Sequence, residues 1–600
     1  MKIKVANYIA DFLVRNNIRH NFTVTGGGAM HLNDALGHNK DIKSIYNHHE
    51  QASAMAAEAY ARLTGELACV CVTSGPGGTN AITGVLGGWL DSVPMFILSG
   101  QVKRETTVWA TTLPLRQLGD QEYNIIESVK PMTKYAHMIT DANEIRYHLE
   151  KMLYLAVNGR KGPVWLDIPL DVQAAIVDTD DLEGFNLNEL KTLENPVYDK
   201  SMSLVILEHL KSAKRPVVYA GAGIRLAKAH KEFLMLVNKL HIPVVTSWNA
   251  HDNIWDDHPC FCGRPGTVGT RGGNFVVENS DLLFVLGCRL NIRQVGYNYK
   301  NFAKNAYKIM VDIDRAELDK PTLSIDLPIY ANVKDVIEDL LTYDYENSTD
   351  QKRWLEWSHN INEKYPATVP EYYKNKKPMN PYAFMTEFFK ILNEDEVVVF
   401  GNGSAGVIPF QAASFKKGQR LIANSGCAAM GYGFPAAIGC AVANCGKRTI
   451  CIDGDGSFQM NIQELQTVVY NHLNLKIIYF NNNGYHSIRQ TQMNFFQPPL
   501  VGVCDGAGIS FPKAEKIANA YGIPFFSIDS LDDIVEKTKK ILSIEGPVFC
   551  EVVVDSQQAF EPKISSKILP DGQIVSPLID DMYPFLDREE YKKNKDISLI

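Results

Sequence analysis

A strand–turn–helix–strand unit near the end of the chain limits the fold more than any other stretch. Arg448-Thr-Ile-Cys-Ile452 is a short apolar run and predicts a buried strand. Asp453-Gly-Asp-Gly-Ser457 makes a tight glycine turn, and Phe458 to His472 has helical spacing. Leu475-Lys-Ile-Ile-Tyr-Phe480 predicts a second strand, which ends in Asn481-Asn-Asn-Gly484. Two strands joined through a helix form the crossover that builds parallel sheets. Parallel sheets bind ligands outside the carboxyl ends of their strands, and Asp455 and Asn482 stand at two such ends.

The residue types there suit a magnesium diphosphate. Mg²⁺ takes about six oxygens in an octahedron. The Asp455 carboxylate, the Asn482 amide oxygen and the Gly484 carbonyl leave positions for two phosphate oxygens and a water. Gly454 and Gly456 let the main chain come close, and the amides of Gly456 and Ser457 open a helix that can hold phosphate. Read without the metal, the same residues are a glycine turn and an asparagine-rich turn. Their spacing, with each group following a strand, favours the metal.

Six hundred residues exceed one hydrophobic core, and three domains of ordinary size account for them. Residues 1–175 alternate helix and strand. Val5–Asn16 predicts a helix, and strands are expected at Asn21–Thr25, Ile42–Tyr46, Ala68–Thr73, Met95–Leu98 and Val164–Ile168. Residues 176–195 turn acidic and lose periodicity, as a linker would. Residues 196–345 resume the pattern, with strands expected at Arg215–Ala220, Pro243–Thr246, Leu282–Leu286 and Lys308–Asp312. The polar span from Tyr343 to Lys377-Pro378 reads as a second linker. Residues 378–555 form the last domain and open with the strand Glu396–Phe400. The fold class is therefore α/β, with three doubly wound parallel-sheet domains. Residues 556–600, broken by Pro562, Pro570, Pro577 and Pro584, read equally as an active-site lid or a packed surface arm.

A net charge of −8 with no long basic block gives no support for nucleic-acid binding. No apolar run approaches the ~20 residues that span a bilayer. The N-terminus is an amphipathic helix carrying Asp11 rather than a signal peptide. Eleven cysteines, scattered through apparent strands, read as buried thiols in a reducing cytoplasm. Cys260-Phe-Cys262 has no matching second pair, so no zinc site is expected.

Gly454-Asp-Gly through Asn482 resembles the thiamine diphosphate motif. Gly454-Asp-Gly-Ser-Phe-Gln-Met-Asn-Ile-Gln-Glu-Leu465 is similar to the acetolactate synthase large-subunit family. The resemblance runs from about Val5 to Val554. It implies a pyrimidine-binding first domain, a central domain and a diphosphate-binding last domain. It also implies a homodimer or homotetramer in which Glu50 and Asp455 meet across a subunit boundary. Glu50, in His49-Glu50-Gln51, would hydrogen-bond the pyrimidine N1′ of thiamine diphosphate. Gly26 and the loop Ser74–Asn80, with Gly75, Thr79 and Asn80, would lie beside the pyrimidine. Gln121 matches a family glutamine that reaches the active site, although by itself it reads equally as a surface polar residue.

In the last domain, Gly401, Gly403 and Ser404 form a phosphate-side loop. Gly426, Ala428 and Met430 match a segment whose Met430 position wedges between the cofactor rings. Gly454, Gly456 and Ser457 face the diphosphate, and Asp455, Asn482 and Gly484 hold the Mg²⁺. For the central domain the resemblance implies FAD in a role that is not redox, on Gly221, Gly223, Arg289, Arg293 and Asp312. The wider family also keeps this domain with an empty or different site. The implied reaction is decarboxylation of a 2-oxo acid, with pyruvate the expected donor, and transfer of the acyl carbanion to a carbonyl acceptor. Simple decarboxylation or oxidation of the same carbanion is the alternative. A catalytically silent regulatory subunit is a third reading, against which the joint presence of Glu50, Met430, Asp455 and Asn482 argues.

Four positions depart from the family. Thr491 stands for a pocket tryptophan, Asp120 for a phenylalanine and Ser487 for a methionine, and Thr25-Gly-Gly-Gly28 replaces Pro-Gly-Gly-Ala. The changes fall on the acceptor side and leave the reaction class intact. They predict a wider, more polar pocket for a keto-sugar, nucleotide-linked, with Arg489 and Lys563–Lys567 meeting its phosphates. A second 2-oxo acid remains the other acceptor.

Overall fold

The computed structural model describes residues 1–190, 195–568, 571, 573–596 and 598. Its first domain carries strands β1 (His20–Thr23), β2 (Lys43–Tyr46), β3 (Cys69–Val72), β4 (Met95–Gln101), β5 (Tyr135–Met138) and β6 (Pro163–Pro169). They form one six-stranded parallel sheet in the order β2-β1-β3-β4-β6-β5. The central sheet uses β7 (Pro216–Ala220), β8 (Val244–Thr246), β9 (Leu282–Leu286), β10 (Tyr307–Asp312) and β11 (Leu327–Tyr330), in the order β8-β7-β9-β10-β11. The last domain uses β12 (Val397–Phe400), β13 (Arg420–Ile422), β14 (Thr449–Gly454), β15 (Leu475–Asn481), β16 (Phe525–Ile528) and β17 (Val548–Val553). Its order, β13-β12-β14-β15-β17-β16, repeats that of the first sheet strand for strand.

The strands form where β-branched and apolar residues run unbroken, because helices cover both faces of a parallel sheet. Every residue of β7, β9 and β12 is buried. Strands β5, β11, β13, β16 and β17 went unpredicted. The first four are short edge strands with polar or partly exposed positions, so none shows the apolar run of a central strand, while β17 is an inner strand interrupted by Glu551.

Helix α1 (Glu50–Thr64) of the first domain packs on α2 (Gly433–Ala443) of the last. The backbones nearly touch: a Cβ on Gly439 would lie 2.0 Å from the Ala56 carbonyl oxygen. Ala54, Met55, Phe434 and Ile438 belong to one hydrophobic cluster spanning the two domains. Inside it, Tyr432 Oη donates to Glu58 at 2.6 Å, and Arg62 pairs with both Glu58 and Asp91. The two terminal domains of one chain are thus locked together through these helices.

Two expectations need correction. Within the span read as the second linker, Thr349–Lys364 is a helix, closed by a capping box between Ser348 and Gln351. Its charged outer face hid a buried stripe of Trp354, Leu355 and Ile361 that packs into the central core. Burial of each such side chain is worth about 1.5–3 kcal/mol, which outweighs the helix's polar composition. The single helix expected from Phe458 to His472 is instead broken, because Asn461 leaves helical geometry at φ −132°. Its side-chain amide donates to Gly431 O and to Gln51 of the first domain, so a tertiary bond overrides the local spacing.

Most cysteines are buried as expected, but Cys445 is exposed and Cys427 and Cys504 are half-buried. No helix among the described residues is long and apolar enough to cross a membrane.

Candidate active site

The expected site residues fall into three groups. The first lies at the carboxyl end of the first sheet. β2 runs into His49, whose imidazole caps α1 by accepting from Gln51 N, and this places Glu50 in the first helical turn. Glu50 is 9% exposed, and its Oε2 accepts from Asn80 Nδ2 at 2.9 Å. Gly75 has φ +57°, and a Cβ there would sit 2.4 Å from the Gln121 carbonyl oxygen. The loop holding Gln121 therefore closes onto the glycine turn beside Glu50. A Cβ on Gly26 would strike Thr73, one residue before the same turn. Glu50, Asn80, Gly75, Gln121 and Gly26 are brought together, while Thr79 is exposed at the edge.

The second group forms at the carboxyl end of the last sheet. β14 and β15 pair in parallel with Gly454 opposite Phe480, so the segments that follow them emerge side by side. Asp455 Oδ2 accepts from Gly484 N at 2.9 Å and its Oδ1 from Gly456 N at 2.7 Å. The side chain is 2% exposed, and burial pushes its carboxyl up to about 6. Gly484 adopts φ +120°, and a Cβ there would lie 2.1 Å from Val503 O. Only glycine fits that position. Asn482 donates through Nδ2 to Ser404 Oγ at 3.0 Å, yet its Oδ1 is a buried acceptor without a partner among the described residues. An orphaned buried acceptor beside a buried carboxylate is costly, at about 1–3 kcal/mol, unless a cation takes both.

Around these groups opens a cleft of about 1070 Å³. Gly403, Ser404, Ala428, Met430, Gly454, Gly456 and Ser457 line it together with Asp455, Asn482 and Gly484. Ser457 Oγ accepts from Gly431 N at 2.9 Å, fastening the Met430 turn to the aspartate turn. Gly401 stands behind the lining. A Cβ there would lie 2.0 Å from Asp453 Oδ1, so the glycine makes room for that buried carboxyl, which burial pushes up to about 7. Gly426 lies elsewhere, its amide donating to Asp91 Oδ1 at 3.1 Å at the junction with the first domain.

Several cleft residues gave no sequence signal. His486, in the turn after Gly484, is buried, with Nδ1 2.9 Å from Ser404 Oγ and Nε2 2.8 Å from the Gln490 amide nitrogen. Burial lowers its imidazole to about 4. Helix α3 (His486–Phe495) and the segment Ala559–Ser566 form the cleft's outer wall. Beyond that segment the tail packs on the central domain, where Arg271 donates to Met582 O and Pro584 O. Helix α4 (Arg588–Lys595) is held there through Tyr365 and Glu590 at 2.6 Å.

Two acceptor-side expectations change. Arg489 is buried and donates to the carbonyls of Asn482, Asn483 and Ser556, so it braces the asparagine turn instead of waiting for a phosphate. A Cβ on Gly28 would lie 2.6 Å from Ser74 Oγ, so that glycine serves a close packing contact and opens no pocket. Ser487 and Thr491 do line the cleft, as does Lys563. Asp120 is exposed beside Gln121 in the first group. No residue of the first domain is among those lining the cleft, so Glu50 and Asp455 do not share a pocket within one chain.

The third group borders a separate cavity of about 320 Å³ between the three domains. Gly223, Arg289 and Asp312 line it, with Arg160 from the first domain and Ser425 from the last. Gly221 is one layer behind, its Cβ position 2.1 Å from Gly287 O. Arg293 is on the other side of Trp248. It lines the cleft, with its guanidinium 4.5 Å from the indole centroid, whereas Trp248 lines the cavity.

Three sequence profiles of known families match the chain. Residues 3–124 match the thiamine pyrophosphate enzyme N-terminal TPP binding domain, 205–340 its central domain and 401–552 its C-terminal TPP binding domain. The chain is 32% identical over 569 residues to the acetolactate synthase large subunit of Cyanidium caldarium, covering 93% of this chain and 94% of that protein. It is 31% identical to the probable acetolactate synthase large subunit of Methanocaldococcus jannaschii over the full length of both. The acetolactate synthase isozyme 1 large subunit of Escherichia coli is 28% identical over 93% of this chain and 95% of its own.

Proposed function

The chain belongs to the thiamine pyrophosphate enzymes, in the family of acetolactate synthase large subunits, and on that premise we propose a carboligase that decarboxylates pyruvate and joins the acyl carbon to a carbonyl acceptor. The observation that carries the reading is the orphaned Asn482 Oδ1 beside the buried Asp455 carboxyl, at the ends of two adjacent parallel strands. This donor set fits Mg²⁺. Asp455, Asn482 and the Gly484 carbonyl would hold the ion, and the ion with the Gly456 and Ser457 amides would hold a diphosphate. When bound, thiamine diphosphate supplies the electron sink on which a 2-oxo acid loses carbon dioxide and its acyl carbon turns nucleophilic. Glu50 would hold a proton at a pyrimidine nitrogen, Met430 would shape the bound cofactor by filling space, and α3 with the segment Ala559–Ser566 would keep water out.

The assembly proposed is a homodimer or a pair of dimers, in the cytoplasm. Exposed apolar side chains border both half-sites: Leu118 and Tyr123 flank Gln121, and Ile488, Met493 and Phe495 rim the cleft. Apolar patches of this kind mark interfaces, and a second copy would bring Glu50 to the cleft. The FAD set does not fit as a whole. Gly223, Arg289 and Asp312 border the central cavity, but Arg293 lines the cleft instead, with its guanidinium over Trp248.

For the acceptor, the small polar side chains of Ser487 and Thr491 in the cleft lining support a molecule larger and more polar than a second pyruvate, of keto-sugar type. The test is incubation with labelled pyruvate, thiamine diphosphate, Mg²⁺ and a panel of carbonyl acceptors, followed by mass spectrometry. A labelled two-carbon adduct on a keto-sugar is expected. Acetolactate as the one efficient product would restore pyruvate as the acceptor. Free acetaldehyde with no adduct would contradict ligation altogether.

A further inference from the structure

The edge of the first sheet carries a group of side chains that the carboligase site does not use. β5 is the outermost strand, and Tyr135 and His137 alternate with Ala136 along it, so they share one face. The chain then passes through the turn Ala142–Glu144 into the helix Ile145–Val157, and Asp141 caps that turn by accepting from Asn143 N at 2.9 Å. Glu144 and His148 are four residues apart, about one helical turn, so their side chains meet. One nitrogen of His137, one of His148 and one oxygen of Glu144 lie within 4.8 Å of one another.

Each of the three has a lone pair to give. His148 is buried, with Nδ1 2.6 Å from Tyr135 Oη and Nε2 3.4 Å from Glu144 Oε2. When Nδ1–H donates to the phenol oxygen, Nε2 stays unprotonated and faces the carboxylate. Metal-bound histidines are oriented by a partner of this kind on the other ring nitrogen. His137 is half-buried and stacks on His148 at 4.2 Å, and its ring nitrogens bond no protein group among the described residues. Burial above all lowers both imidazoles, His148 to about 3, so at neutral pH no proton has to leave before a metal binds. Lys151 also faces the two rings, and it is engaged by Tyr147 Oη at 3.0 Å and by the faces of Tyr135 and Phe185.

Two imidazoles and a carboxylate are a zinc donor set, with the fourth tetrahedral position left to water. Mg²⁺ prefers oxygens in an octahedron and has little use for the pair of nitrogens. The 3.4 Å between His148 Nε2 and Glu144 Oε2 already matches two ligands of a tetrahedral ion, each at about 2.0–2.2 Å from it. His137 completes the set when its half-buried ring turns out of the stack.

We propose that His137, His148 and Glu144 form a zinc site that ties the edge strand β5 to the helix Ile145–Val157, apart from the Mg²⁺ site of the cleft. Binding there needs no turnover, so it can be read independently of the carboligase. The full chain, purified with thiamine diphosphate and excess Mg²⁺, is titrated with zinc chloride by calorimetry and with cobalt chloride by visible absorbance. One Zn²⁺ per chain is expected, with the absorption of tetrahedral Co²⁺, and Zn²⁺ should raise Tm. His137→Asn and Glu144→Gln should each lower zinc affinity by more than the roughly 10–100-fold that an orienting partner is worth, and Tyr135→Phe by about that amount. Both ligand variants change partly exposed side chains, so they should fold even where a change at the buried His148 does not. Their melting curves without zinc should match the parent's. Zinc below one per chain in the parent, or zinc binding undiminished in either ligand variant, as it would be at the exposed Cys445, would overturn the proposal.

Discussion

Glu50→Gln is expected to leave the fold and cofactor binding close to intact while lowering turnover by about 10²–10⁴-fold, the usual span for removing a proton-transferring group. The two side chains have nearly the same volume, and the amide oxygen can still accept from Asn80. What the amide lacks is a carboxyl that gains and loses a proton. The competing account is an acid in a first helical turn, stabilised by the helix dipole at about 0.3–1 kcal/mol. That account predicts a small loss of stability and unchanged chemistry. Steady-state kinetics beside a melting curve separates the two, and turnover within a few-fold of the parent would remove Glu50 from the proton path.

The second large effect is expected from Asp455→Ala, which should abolish Mg²⁺-dependent retention of thiamine diphosphate. The side chain is the one carboxylate proposed as a ligand, and two backbone amides aim it. Loss of a group that merely orients a metal ligand costs roughly 10–100-fold in affinity, so loss of the charged ligand itself should exceed that. In thermal-shift titrations the parent should gain stability when metal and cofactor are added together, because both bind the folded state. The variant should show no such gain. An undiminished shift would move the metal to another site.

The half-site at the last sheet was legible because its chemistry is local. Asp455, Asn482 and Gly484 each follow a strand within a few residues, and parallel pairing of β14 with β15 brings them together. What could not be read depends on contacts distant in sequence. Arg489 looks like a free cation until its carbonyl partners are seen, and one of them, Ser556, is 67 residues away. The kink at Asn461 depends on Gln51 in another domain. Gly28 is small because Ser74 presses on it, which a comparison of residue sizes mistook for an enlarged pocket. The helix Thr349–Lys364 escaped because charge dominates its exposed face, while Trp354 and its neighbours hold the buried one. Trp248 carried no signal at all, since an apolar residue after a strand says nothing about which cavity it lines.

The central claim is that Glu50 and Asp455 serve one site from two copies of the chain. Coexpression of Glu50→Gln with Asp455→Ala tests it most directly, since each variant alone is expected to be inactive. In a mixed dimer one site takes Glu50 from one copy and Asp455 from the other and is intact, while its twin carries both defects. Random pairing should then restore about one quarter of the parental activity, because roughly half the dimers are mixed and half their sites are whole. Recovery near that level is the predicted result. Activity no higher than that of the separate variants, in a preparation shown to contain mixed dimers, would contradict a shared site.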